Sequence, residues 1–324
     1  MSDRLLLAMV AVVGVPAVLV GYVLAGEALL RRAPFRWQAR LRPWVWLLPA
    51  LALVGLFLVY PALDTVRLSL MSADSSRFVG LENYRHLVED RAVRVALRNN
   101  GLWLVLFTAI TVGFGLLLAV LTDRVRYESV AKSVIFLPMA ISFVAAGVIW
   151  KFMYDFRPPG LPQTGTVNAA LGALVPGFTP RPWLIEAPQN NLALIVAAAW
   201  AWTGFAMVVL SAGLKGISDD VLEAARVDGA SEWQVFWRVM LPMLAPTIAV
   251  VATTMVITAL KVFEIVYVMT NGNFDTDVLA FRMYKEMFSV RHFGRASAIA
   301  VVLLAAIVPV MLFNLRRFRQ QEAG

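Results

Sequence analysis

The chain reads as an all-α polytopic membrane protein, and three observations say so. Of its 324 residues 60% are hydrophobic and only 15% are charged. Its mean hydropathy is +0.73. Its apolar residues gather in runs long enough to cross a bilayer. A soluble domain carries roughly 25% charged and about 45–50% apolar residues. A soluble core of this length could not enclose so much apolar surface, so the excess faces lipid.

A hydrocarbon layer about 30 Å thick takes about 20 apolar residues of helix. Seven stretches meet that length: Leu5–Ala28, Pro43–Tyr60, Asn100–Leu121, Ala131–Trp150, Asn191–Leu214, Met243–Tyr267 and Ala296–Phe313. The first follows a short head with Arg4, as a secretory signal would, but its apolar run is longer than a signal's, so a retained helix is expected. The dense cationic segment after it (Arg31, Arg32, Arg36, Arg40, Arg42) places the N-terminus outside. Alternation then puts Arg31–Arg42, the Asp123–Lys132 turn, the Lys215–Leu241 loop and the tail with Arg316, Arg317 and Arg319 inside. Ala62–Arg98, Lys151–Asn190 and Val268–Arg295 fall outside. The segment Lys151–Asn190 is rich in proline and glycine and reads as an irregular surface loop. Residues 1–42 are expected to form an extra N-terminal helix with a basic cytoplasmic loop, residues 43–319 the main transmembrane domain, and residues 320–324 a cytoplasmic tail.

The net charge of +8 does not indicate nucleic acid, because the arginines sit between apolar runs with no basic stripe interleaved with aromatics. It reads as topology and contact with anionic membrane lipids. The chain has no cysteine, which excludes thiolate metal sites, disulfides and cysteine nucleophiles. There is no Gly-x-x-x-x-Gly-Lys-Ser/Thr phosphate loop and no His-Glu-x-x-His, and the two histidines, His86 and His292, fall in outer loops. No catalytic site, metal site or cofactor is expected in this chain.

One inner loop departs from ordinary connector chemistry. Ser218–Pro246 reads SDDVLEAARVDGASEWQVFWRVMLPMLAP. Ser218 can cap a helix whose first turn holds Asp219 and Asp220, favoured by the macrodipole. Gly229 should end that helix in a left-handed conformation. Ser231 with Gln234 makes a capping box for a second short helix, and Pro242 marks its end or a kink into the next span. Ala224 and Ala225 are small enough to let a partner approach closely. The alternative on these residues alone is an amphipathic pair lying on the bilayer surface.

Glu223-Ala224-Ala225, Gly229, Val239, Leu241 and Pro242 match in spacing the EAA motif of ABC importer permeases, with Val239 where that pattern has isoleucine. Asp228-Gly229-Ala230 resembles the sugar-importing branch. Phe78-Val79-Gly80-Leu81-Glu82-Asn83-Tyr84 and the Val262–Thr270 segment are similar to the corresponding segments of maltose-type and glycerol-phosphate-type permeases. The resemblance covers about Pro43 to Arg319. It implies a six-helix type I ABC importer permease core, with Leu5–Ala28 similar to the additional N-terminal helix of maltose- and α-glucoside-type permeases. It further implies that the loop 215–246 docks on a separate ATPase subunit through Glu223, Ala224, Ala225, Asp228, Gly229, Leu241 and Pro242. ATP and magnesium would be bound by that partner. The other implied partners are a second homologous permease, a dimer of ATP-binding subunits and an extracytoplasmic sugar-binding protein, in the bacterial inner membrane.

Candidate substrate contacts lie in the fifth and sixth spans. Lys261 and Glu264 are expected three residues apart on one helix face, with Tyr267 nearby. They read either as an ion pair near the outer surface or as hydrogen-bonding groups for sugar hydroxyls. Trp200, Trp202 and Thr203 read either as an interfacial aromatic belt or as a surface on which sugar C–H faces stack. Trp150 and Tyr154 read as belt residues. The leading function is import of a saccharide, an oligosaccharide such as an α-glucoside. A glycerol-phosphate permease and a non-transporting membrane scaffold are the rivals. A secondary transporter is disfavoured because no paired broken helices with intramembrane acidic residues stand out in the sequence.

Overall fold

The computed structural model describes residues 2–32, 34–123 and 125–322. Ala33, Arg124 and the last two residues of the expected 320–324 tail lie outside the described residues, as do the side chains of Arg317 and Arg319. Every regular element among the described residues is helical, apart from one isolated bridge between Met71 and Phe78. Six helices are long and apolar enough to cross a membrane, or seven if a bent pair counts as one span. The described residues fall into two compact units, Met1–Arg67 and Leu68–Gly324.

The first unit contains the helix Ser2–Leu30 and most of the helix Phe35–Leu68. The expected basic loop is therefore mostly helix: Arg36, Arg40 and Arg42 lie in the first turns after Pro34, where Gln38, Ala39, Arg40 and Leu41 are all good helix formers. Arg42 is not a free topology signal, because its guanidinium donates two 3.1 Å bonds to Glu27 and the Trp46 indole adds a third at 3.2 Å. Gly55–Val59 forms a π-helical turn just before Pro61. The wider turn relieves the clash a proline ring makes one turn back, and the helix continues.

In the second unit the helix Gln189–Lys215 is central, with 56% of its most apolar window buried. Ala193, Ala197, Ala198, Ala199, Ala201, Gly204 and Ala206 are buried along it, and small residues let membrane helices cross closely. A Cβ on Gly204 would lie 2.5 Å from the Ile135 carbonyl oxygen, so only glycine permits this crossing.

Two expected spans are broken. The fourth divides into Glu128–Ala140 and Phe143–Met153, bent by 99°. Pro138 sits in a 3₁₀ turn, Leu137–Ala140, and Ser142 caps the second half by accepting from the Ala145 amide. The sixth ends at Leu260, and a separate helix begins at Glu264. Its start is also earlier than expected. Glu232–Leu260 is one helix running through Pro242, so Pro242 does not end a separate element. The π turn Phe236–Met240, one turn ahead of Pro242, provides the accommodation. The segment Lys151–Asn190 is not wholly irregular, since Thr166–Leu174 is a helix. Its Asn168 bonds to Asp155 O, the Arg181 backbone on both sides and the Trp183 indole.

Buried asparagines fasten the loop before Leu279. Asn99 donates to Asp275 O and Asp277 O at 2.7 and 2.8 Å, Asn190 donates to Phe274 O at 2.7 Å, and Asn100 accepts from the Leu279 amide at 2.8 Å. Asn83 and Tyr84 fasten the turn at Ser69–Met71, Asn83 by donating to Ser69 O and Met71 O. Burial raises the Asp277 carboxyl to about 6, against the pull of Lys285 and Arg282. A carboxyl whose value is higher folded than unfolded binds its proton more tightly in the native state. Its contribution to stability is therefore fully present below about pH 4 and is lost as pH rises through 6. Between those limits the change is on the order of 3 kcal/mol. Hydrogen exchange in residues 271–290, corrected for intrinsic rates, should be slower at pH 5 than at pH 7. In Asp277→Asn, which keeps an acceptor for the Val278 amide, that difference should vanish.

Candidate functional site

Both helix breaks open onto one cavity of about 270 Å³, lined by Trp103, Phe107, Phe143, Ala198, Trp202, Thr258, Ala259, Lys261, Val262, Glu264 and Ile265. The wall is aromatic. Phe143, the first residue after the bend, stacks on Trp202 at 6.0 Å, and Trp103 packs on Phe107 at 5.9 Å. The polar groups are few. Lys261 closes the C-terminal end of the long helix and Glu264 opens the next one, so both are presented by helix ends rather than by a shared helix face. Among the described residues they form no ion pair with each other, and both are exposed. The indole N–H groups of Trp103 and Trp202 are buried without a hydrogen-bond partner in the structure. An unpartnered buried donor is costly, and these two stand out on that ground.

The break at Lys261–Phe263 is held from outside itself. The Asn100 amide donates to Ala259 O at 3.4 Å, Val262 is buried, and Phe263 stacks on Tyr267 at 5.5 Å. Of the substrate candidates expected from sequence, Trp202, Lys261 and Glu264 come together in this cavity. Trp200, Thr203 and Tyr267 do not line it. Trp200 is two residues from Trp202, so it faces another way on the helix and meets Trp150 edge-on at 5.8 Å. Thr203 spends its hydroxyl on Ala199 O at 2.7 Å. Tyr267 joins Phe263, Phe281 and Tyr284 in an aromatic cluster. Tyr154 is buried, against the belt expectation, and its hydroxyl donates to Ala193 O at 3.3 Å. Trp103, Phe107 and Phe143 were missed because each sits in an apolar run whose composition reads as lipid-facing.

At the other end of the unit lies the loop that resembles an EAA motif. Ser218 caps the helix Asp219–Val227 by accepting from the Asp220 amide, and Gly229 takes φ +86°. Ser231 and Gln234 form the expected capping box. Arg226 grips Glu232 through two bonds of 2.7 and 3.3 Å, fixing the angle between the two helices. Leu222 is buried and Ala225 packs against the core, which turns Glu223, Ala224 and Val227 outward. Asp228, Gly229 and Pro242 are exposed and Leu241 is half-buried. Asp219, Leu222, Glu223 and Arg226 border a groove of about 930 Å³ with Trp233, Phe236 and Trp237.

His86 and His292 line a polar pocket of about 500 Å³ with Asp74, Arg77 and Arg295. His86 approaches Asp90 at 3.5 Å, and burial lowers the His292 imidazole. Three donors from Ser72 and Ser76 hold the Asp74 carboxyl down at about 2.

Comparison with known proteins places this geometry. The family described as binding-protein-dependent transport system inner membrane component matches residues 109–319. The chain is 56% identical to the osmoprotective compounds uptake permease protein GgtC of Synechocystis sp., covering 86% of this chain and 99% of that protein. It is 47% identical to the alpha-glucoside transport system permease protein AglF of Rhizobium meliloti, covering 88% of this chain and 84% of that protein. In fold it is similar to a chain of a bacterial ABC transporter involved in alginate import, with a TM-score of 0.74 and 24% identity over 89% of this chain and 99% of that one. The chain therefore belongs to the binding-protein-dependent transport system inner membrane components, the multi-pass permease subunits of ABC importers.

Proposed function

We propose that this permease passes a neutral saccharide of the α-glucoside class inward through the cavity at the two helix breaks. The observation that carries the reading is the cavity's composition: four aromatic rings, two unpartnered indole donors, and one cation opposed by one anion. Aromatic faces suit the C–H faces of a pyranose, while Lys261, Glu264 and the indoles suit its hydroxyls. A phosphorylated polyol would want net positive charge there, and Glu264 offsets Lys261. Relatives named for α-glucoside and osmoprotectant uptake support the choice of substrate. In this reading the chain works with a second homologous permease, a dimer of ATP-binding subunits that hold ATP and magnesium, and an extracytoplasmic sugar-binding protein. The N-terminus lies outside and the C-terminus in the cytoplasm. The ATP-binding subunits dock on Glu223, Ala224, Ala225, Asp228 and Gly229, with Leu241 and Pro242 shaping the exit into the membrane.

The test is uptake of labelled trehalose, an α-glucoside, by the assembled complex in proteoliposomes. Accumulation should require both ATP and the binding protein; none at all would leave a scaffold. Trp202→Ala and Glu264→Gln should each lower uptake about tenfold, the equivalent of about 1.4 kcal/mol, by removing a stacking face or a hydroxyl acceptor. Uptake unchanged in both variants would move the pathway elsewhere.

A further inference from the structure

We propose that Glu128, Lys132, Ser211 and Lys215 form an ionic clamp that makes the first half of the broken span move as one body with the docking loop; this rests on the transport reading above. Glu128 is the first residue of the helix Glu128–Ala140, and Lys132 lies one turn further on. Lys215 is the last residue of Gln189–Lys215, and Ser211 lies one turn before it. The Glu128 carboxylate accepts from Lys215 at 2.6 Å and from Lys132, and Lys132 also donates to Ser211. Ser211 is buried, and the Lys132 side chain is only 16% exposed. The cluster is charge-assisted and only partly buried, since the Glu128 side chain is 23% exposed and Lys215 57%; its hold comes from one carboxylate shared by two ammonium groups and from the anchor on buried Ser211.

A second contact sits two turns up the same helix. Gly204 meets the backbone of Ile135 and Phe136, where a Cβ would come within 2.7 Å of the Phe136 Cα. Two fixings roughly 10 Å apart along Gln189–Lys215 resist rotation as well as sliding. Below Lys215, only Gly216 and Ile217 precede Ser218, the cap of the docking helix. That link is tight: the Gly216 and Ile217 amides bond to Gly213 O and Leu214 O, and Ile217 and Leu222 are buried in one core. At the far end the clamped helix runs into the 99° bend and then Phe143, which stacks on Trp202 in the cavity wall. A displacement of the docking helix therefore arrives at the cavity through a stiff piece. With the clamp open, the half-span can swing at its bend and absorb the displacement. Lys132, Ser211, Glu128 and Lys215 are positioning residues: none of them lines the cavity.

The assembled complex in proteoliposomes tests this with trehalose as the probe. Glu128→Gln should lower trehalose imported per ATP hydrolysed about tenfold, with the rate of hydrolysis nearly unchanged. Because the chain has no cysteine, Glu128→Cys/Lys215→Cys can be joined selectively by a short bifunctional thiol reagent, and that covalent tie should restore the ratio. A ratio that stays at the native value in Glu128→Gln, or fails to recover on cross-linking, overturns the clamp. A second measurement needs no substrate. Spin labels on Ser133 and Ala212, both exposed, should keep their separation to within about 2 Å between nucleotide-free and ATP-bound states; a larger change also overturns it. If the native complex hydrolyses ATP but takes up no trehalose, the α-glucoside reading falls, and the label separation alone decides the clamp.

Discussion

Replacing Ala224 by tryptophan will leave the permease folded but will weaken its hold on the ATP-binding subunit about a hundredfold. The expectation follows from which way the helix Asp219–Val227 faces. Leu222 and Ala225 turn toward the protein's own core, whereas Ala224 is exposed and meets nothing that a larger side chain would displace. An indole there costs this chain nothing, but it holds a docking partner away. Overpacking a close contact costs about 1–3 kcal/mol, and the upper end is about two orders of magnitude in affinity. Ala225→Trp is the counterpart, because it intrudes on the core and should lower the thermal midpoint of the permease itself. Affinity measured in detergent, with the midpoint of each variant, separates the two. Should Ala224→Trp bind the ATP-binding subunit at native strength, the outward face of this helix is not the docking face.

Arg282→Met carries the largest expected loss of stability. Arg282 joins Asp90 at 3.2 Å and Glu286 at 2.8 Å, and the Glu286 side chain is only 3% exposed. Removing the cation strands a buried carboxylate, which typically costs about 3–5 kcal/mol. The double variant Arg282→Met/Glu286→Leu should recover most of that loss, because two apolar side chains replace the pair. Arg282 Nε and Glu286 Oε2 already lack partners in the structure, so the pair is imperfectly satisfied as it stands. Thermal unfolding of the purified permease gives the comparison, and equal midpoints for the single and double variants would show that Glu286 is not held as a charge.

Much of this architecture was legible in the chain because a bilayer imposes a length and a polarity that composition must obey. Helix ends in the 218–246 loop were legible for a local reason: Ser218, Gly229, Ser231 and Gln234 do their work within four residues of themselves. The breaks were not legible in the same way. Pro138 was a local signal for the first and was passed over inside an apolar run. At Lys261-Val262-Phe263 there is neither glycine nor proline, and what holds the break is distant in sequence: Asn100 on Ala259 O, and the packing of Phe263 against Phe281 and Tyr284. Treating 243–267 as unbroken also put Lys261 and Glu264 on a shared face, and placed Tyr267 beside them. Trp202 was found by its type and position, but its partners Trp103 and Phe143 come from other spans, and single-chain periodicity cannot place them together.

The bend at Leu137–Ala140 also bears on how the protein is made. Glu128–Ala140 is roughly 20 Å long and the half after it is shorter still, so neither reaches across the hydrocarbon by itself. Amide and carbonyl groups freed at the turn find no partner among acyl chains. The bent segment is therefore ill-suited to lipid on every side, and the groove around Gly204 that receives it exists only once Gln189–Lys215 has been synthesised, which makes the later helix a template for the earlier one.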